Sequence, residues 1–197
     1  SANRSGNNLT IFFQLTLGSF TAAPLVLGGL GTTDGPNSVA AADLDADGDL
    51  DLVSANRSGN NLTTFFQLSP GNFSASPLQL GDSTVTIAPY SVAVADLDGD
   101  GDQDLGSPNQ LGSNLTVFFQ LSSGSFAAPP LVLGGPATTN QPISIAVADL
   151  DGDGDQDIVS ANAALLGGTN NLTIFLQDSP GSFGTSPLSL GGFGTTL

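Results

Sequence analysis

Fifteen aspartates, set out as three copies of one nonapeptide, are the residues of this chain most able to do chemistry. DLDADGDLD occupies residues 43–51, and DLDGDGDQD occupies both 96–104 and 149–157, with successive starts 53 residues apart. These loops hold 15 of the 18 acidic residues, and every acidic residue is aspartate. Five carboxylates within nine residues repel one another unless a cation sits among them. Oxygens at positions 1, 3, 5 and 9, with a main-chain carbonyl at position 7, suit a hard cation wanting about six to eight oxygens. Three Ca²⁺ sites are therefore expected. The first is Asp43, Asp45, Asp47, Asp49 and Asp51; the second is Asp96, Asp98, Asp100, Asp102 and Asp104; the third is Asp149, Asp151, Asp153, Asp155 and Asp157. Gly101 permits the sharp turn that brings positions 5 and 7 round one ion.

An EF-hand opens in the same way but needs flanking helices and a glutamate at position 12. Position 12 here is Ser54, Ser107 or Ser160, and the flanks alternate as strands do. Magnesium fits less well, because it prefers a rigid octahedron and keeps its water. The remaining alternative is a solvated acidic turn without metal.

Loops of this kind must be held by something, and the rest of the chain repeats with them. Asn8, Asn61 and Asn114 open an N-L-T-x-F-F-Q segment, and Asn171 opens N-L-T-I-F-L-Q. Phe20, Phe73, Phe126 and Phe183 follow in the next turn, and Leu-Gly pairs at 27, 80, 133 and 190 close each unit. The last step is 57 residues rather than 53, because residues 163–168 lengthen one loop. Each unit reads as four short strands, A to D, separated by turns. In one full unit strand A is expected at 91–97, B at about 104–108, C at 115–121 and D at about 126–133. Glycine and proline punctuate too often for helices.

Side-chain size suggests a shape. Strand A is built from small residues such as Ala93, Ala95, Ala146 and Ala148, whereas strand C carries bulk on both faces in Leu115, Val117, Phe118, Phe119 and Leu121. A sheet apolar on both faces lies between neighbours, and four-stranded wedges about an axis are propeller blades. The expected fold is all-β, with antiparallel blades of β-propeller type and about 3.7 repeats of 53 residues. A stack of sandwiches or a linear β-solenoid is the alternative. The units run 1–35 (an incomplete repeat with strands C and D), 36–88, 89–141 and 142–197. A fourth complete unit would need the equivalent of residues 141–159, so completion by a longer array or by another molecule is expected.

The runs S-V-A-V-A-D-L-D-G-D-G-D-Q-D-L, N-L-T-V-F-F-Q and G-S-F-A-A-P-P-L-V-L-G resemble the FG-GAP/VCBS-type repeat, which is similar to the repeats of the integrin α-subunit propeller. The resemblance covers essentially the whole chain. It implies calcium in the A–B hairpin loops, four-stranded blades, and extracellular adhesion or scaffold roles.

Composition narrows the partners. With 39% apolar residues the 197-residue chain can bury a core. A net charge of −16 with two arginines and no lysine leaves nothing to neutralise phosphates, so nucleic acid is excluded as a partner. No apolar run approaches the roughly 20 residues of a membrane span. Calcium loops without cysteine suit an extracellular or cell-surface setting, where calcium modules work at about 10⁻⁴–10⁻³ M.

N-x-S/T occurs at Asn3, Asn8, Asn56, Asn61, Asn72, Asn114 and Asn171, which makes these glycosylation candidates. The competing reading of the repeated N-L-T is a turn asparagine followed by a strand threonine. An enzyme is not expected, since His, Cys, Lys and Glu are all absent and Asp34, Asp82 and Asp178 show no paired spacing. Two roles stand: a structural or adhesive surface protein that self-associates head to tail into an extracellular assembly or filament, or a carbohydrate-binding, lectin-like module. Twelve phenylalanines, mostly at repeat-invariant positions, one tyrosine and no tryptophan favour the first.

Overall fold

Apolar residues alternate with small or hydroxylic ones along short runs that end in Gly, Asn or Asp, and each such run is a strand in the computed structural model. The structure describes residues 1–163 and 170–191. Most of the four-residue lengthening after Asn162 lies outside the described residues. Each full repeat is one antiparallel four-stranded sheet. The second repeat orders Pro36–Ala42, Asp51–Asn56, Asn61–Phe65 and Leu78–Leu80. The third orders Ala93–Ala95, Asp104–Asn109, Asn114–Phe118 and Leu131–Leu133; the fourth orders Pro142–Ala148, Asp157–Asn162, Asn171–Phe175 and Leu188–Leu190. The all-β expectation is met, and no sheet closes on itself among the described residues.

Three boundaries differ from expectation, each for a physical reason. Strand A of the third repeat is only Ala93–Ala95. Its partner strand carries Pro108 where the other repeats have Ala55 and Ala161, and proline has no N–H to give the ladder. Ser107 Oγ donates to the Ser91 carbonyl instead, at 2.8 Å. Strand C stops at Phe118 rather than 121, and a separate hairpin follows, Gln120–Ser122 with Ser125–Phe126. The Gln120 N–H leaves the sheet to reach a carboxylate of the acidic loop, so strand D begins only at Leu131. Leu121 consequently sits on the side hairpin and is exposed, not packed inside. The first unit also holds more than strands C and D: Ala2–Asn3, in the place of a strand B end, pairs with Asn8–Ile11, which pairs with Leu25–Leu27.

The core lies between sheets rather than within one. Leu44, Val53 and Leu62 of the second repeat bury with Leu105, Phe118 and Phe126 of the third. Leu97, Leu115 and Val117 of the third bury with Ile158, Phe175 and Phe183 of the fourth. Phe118 faces one neighbour while Leu115 and Val117 face the other, so the bulk on strand C is sandwiched as its sequence implies. Each such buried side chain contributes about 1.5–3 kcal/mol. Strand B of the third repeat packs on strand A of the fourth, where Gly106 leaves room: a Cβ there would stand 2.9 Å from Ile145 Cδ1.

Candidate metal centre

The loop begins where the A–B hairpin ends. Ala42 pairs with Asp51, Ala95 with Asp104 and Ala148 with Asp157, so position 9 of every loop is also the first residue of strand B. That placement buries the carboxylates of Asp51, Asp104 and Asp157 completely. One oxygen of each accepts the backbone N–H of position 2: Leu44 at 2.8 Å, Leu97 at 2.7 Å and Leu150 at 2.8 Å. The other accepts the N–H that opens the side hairpin: Gln67 at 2.7 Å, Gln120 at 2.7 Å and Gln177 at 2.9 Å. One aspartate thus ties together loop, sheet and hairpin.

The turn itself is drawn in by position 1. Asp96 accepts from the N–H groups of Gly99 and Gly101 at 2.7 and 3.0 Å, and Asp149 accepts from Gly152 and Gly154 at 2.7 and 3.1 Å. Asp43 does the same for Asp47 and Gly48 at 3.2 and 3.0 Å. Gly101 adopts φ +98°, the left-handed turn that its sequence position implies.

Positions 1, 3 and 9 converge. In Asp43/Asp45/Asp51, Asp96/Asp98/Asp104 and Asp149/Asp151/Asp157, one carboxylate oxygen from each residue lies within 4.8 Å of the others. Positions 5 and 7 stand outside these triads: Asp47, Asp100 and Asp153 turn a carboxylate oxygen to the N–H of Asp49, Asp102 and Asp155 at 2.8, 2.9 and 2.9 Å. Three converging carboxylates are an all-oxygen donor set for a hard divalent cation. A second observation fits such an ion: Asp45 Oδ1 is buried with no hydrogen-bond partner. The residues that would hold the metal are the three triads, and its contribution there is neutralisation of their charge.

The electrostatics agree. Desolvation pushes the Asp45 and Asp98 carboxyls above the usual carboxylate range, helped by the like charges of Asp47 and Asp100. Burial raises Asp51 and lifts Asp104 to about 6, against the two backbone N–H bonds that favour its charged form. Asp82, outside every loop, is lowered by hydrogen bonds from the Thr84 hydroxyl and N–H. Replacing Asp98 by alanine is therefore expected to remove one of three calcium equivalents in calorimetry, while Asp82→Ala keeps all three. Equal stoichiometry in the two variants would break the ligand assignment.

The glutamines at the head of each side hairpin were not anticipated as site residues. Their signal was present, since the Gln of N-L-T-x-F-F-Q recurs with the loops. A second element emerges behind the sequons. Asn56 is fully buried, and its amide donates to Asn61 Oδ1 and Thr63 Oγ1, both at 2.8 Å. A glycan on that nitrogen would replace one of its two N–H donors and has no room at a fully buried side chain, so Asn56 is withdrawn as a glycosylation candidate. Asn3 has the equivalent place, with its amide donating to Asn8 and Thr10. Asn61 and Asn114 accept across the B–C turn, from Asn56 and Asn109, and Asn171 accepts from Asn162. The left-handed residue of that turn is the one before the motif, Asn7, Asn60 or Ser113. Asn72, on the side hairpin, is exposed.

Repeating four-stranded sheets with an acidic loop on the A–B hairpin define a class of protein, the acidic-loop β-repeat proteins. Residues 1–54, 43–107 and 109–160 each match the FG-GAP-like repeat, and the chain belongs to that family. Repeats of this type are typical of extracellular proteins. A search of curated proteins found no match to the chain. No helix among the described residues is long and apolar enough to cross a membrane.

Proposed function

We propose that this chain is a secreted, calcium-stabilised repeat protein with a structural or adhesive role, its blade-like units joining head to tail in an extracellular assembly. The observation that carries this reading is the double duty of Asp51, Asp104 and Asp157. Each belongs to a metal triad, and each also holds its loop and side hairpin to the sheet through backbone N–H groups. A metal held there serves the fold rather than a substrate. Its expected occupant is Ca²⁺ at all three loops. The side-chain inventory, with no His, Cys, Lys or Glu, supports a non-enzymatic role.

A lectin role would use clefts between repeats. One cleft between the third and fourth repeats, of about 350 Å³, is lined by Asp96, Gln103, Asp155, Gln156 and Gln177 without an aromatic ring. A second, of about 410 Å³, is lined by Phe175 and Phe183, but both rings are buried in the core between the sheets and offer little face to a sugar. A glycan array in millimolar calcium is expected to show no specific retention. Saturable binding of one glycan class would replace the structural reading with the carbohydrate-binding one.

A further inference from the structure

One of the contacts that join neighbouring repeats is made in full twice and in part a third time, where a Cβ on the hairpin glycine Gly71 would stand 3.3 Å from Phe13 Cζ with no acidic loop beside it. The side-hairpin turn of the third repeat lies against the acidic loop of the second: the Gly124 N–H donates to the Leu44 carbonyl at 3.0 Å. A Cβ on Gly124 would stand 3.1 Å from Phe66 Cζ. Behind the turn Phe126, 9% exposed, shares a buried cluster with Leu44, 0% exposed. One repeat on, a Cβ on Gly181 would stand 3.2 Å from Asp98 Cβ and 3.5 Å from Phe119 Cζ. Phe183, 8% exposed, there shares a buried cluster with Leu97, 0% exposed. The plug is a hairpin glycine with a phenylalanine two residues later. The socket is the position 2 leucine of the preceding loop and the large residue just before the glutamine.

Residues 1–191 hold one hairpin that meets no large residue and one further socket with both its leucine and its large residue, and these two do not meet. The hairpin Gln14–Thr16 with Ser19–Phe20 has nothing within 4 Å of a Cβ on Gly18, and Phe20 is 57% exposed. At the other end Leu150, position 2 of the third loop, is 48% exposed, with the half-buried Leu176 in the place of Phe66 and Phe119. Phe12, Leu15 and Leu17, on the hairpin and just before it, are also exposed, apolar surface of the kind that marks an interaction site.

We propose that the Phe20 hairpin of one copy docks on the Leu150–Leu176 socket of a second copy, reproducing between molecules the contact that joins repeats within one. The inference rests on the head-to-tail reading above and names its surface. The two faces differ, so the contact is heterologous and each copy keeps one free plug and one free socket. Residues 12–30 carry no charge, while the loop that supplies Leu150 also carries Asp149, Asp151 and Asp153. Calcium in the third loop therefore favours docking by removing charge beside an apolar contact.

Sedimentation velocity in millimolar calcium tests this. The native chain is expected to show a mass that climbs with concentration above the 19.6 kDa of one chain. Phe20→Ser, which alters an already exposed side chain, and Leu176→Ser should each remain single chains while binding three calcium ions. An equimolar mixture of the two retains one good plug and one good socket, and should form a particle of two chains and no larger. Leu111→Ser, at an exposed leucine in the B–C turn of the third repeat, should associate like the native chain. A native chain that binds three calcium ions yet stays single overturns the docking and leaves the calcium reading standing. So does association that Phe20→Ser leaves untouched. Assembly through Phe20 without any calcium bound would support the docking and overturn the calcium reading instead.

Discussion

Excess EDTA at pH 7 should lower the melting temperature of this chain by more than about 10 °C. Like charges about 4–5 Å apart cost roughly 1–4 kcal/mol per pair between effective dielectrics of 80 and 20. The triads Asp43/Asp45/Asp51 and Asp96/Asp98/Asp104 each contain three such pairs. Even the lower figure gives about 6 kcal/mol over these two loops, in a domain whose whole stability is typically about 5–15 kcal/mol. At roughly 2–4 °C per kcal/mol for a chain of this size, the shift is large and the chelated chain is close to unfolding. The same experiment has a pH arm. The folded-state carboxyl of Asp104 lies at about 6, above its usual 3.8. Its favourable contribution to the metal-free chain is therefore present in full below about 3.8 and is lost as pH rises through about 6. The EDTA-treated chain should melt higher at pH 5 than at pH 7, whereas calcium, which needs the carboxylates ionised, stabilises more at pH 7. Melting curves that superimpose with and without EDTA at pH 7 would remove calcium from the fold.

Asp104→Ala is expected to be the most damaging single substitution in the loops, and damaging even in EDTA. The Asp104 carboxylate is the acceptor for two backbone N–H groups, on Leu97 and Gln120, and both residues are buried. Leaving two such donors unpaired costs about 2–6 kcal/mol at roughly 1–3 kcal/mol each. Asp98→Ala removes a like charge and no buried N–H partner comparable to these, so it should destabilise only the calcium-loaded chain. Thermal melts of both variants in calcium and in EDTA separate the two roles. Equal losses in EDTA would show that Asp104 is a ligand and nothing more.

The sequence revealed the loops and the repeat period because both are written in residue types: aspartate spacing, and the recurrence of Asn, Phe and Leu-Gly. It also revealed that strand C is packed on both faces, since Leu115 and Val117 alternate with Thr116 while Phe118 follows. It did not reveal that strand C breaks at Phe119. The break follows from a hydrogen bond between Gln120 and an aspartate 16 residues away, and nothing local to Phe119 announces it. Pro108 did carry a visible signal, but its effect falls on Ser91 in the partner strand, where a reading along one strand does not look. Spacing alone treats the carboxylates of positions 1, 3, 5 and 9 as equivalent. The fold separates them: the start of strand B buries position 9, while position 5 caps the turn. Asn56 was read as a surface sequon for the same reason, because the three letters of a sequon say nothing about which way the strand faces.

The placement of the apolar clusters has a consequence for how such a chain changes over evolutionary time. Both clusters belong to two adjacent repeats, and the interface between the second and third repeats is made largely from the same repeat positions as that between the third and fourth. Recombination that duplicates or removes one whole period therefore restores every interface it cuts, wherever in the period the crossover falls. A deletion of any other length leaves a leucine without its phenylalanine. The gene can lengthen or shorten the molecule like a ruler cut only at its marks, with the overall reach of the protein open to selection while the structure of each unit stays fixed.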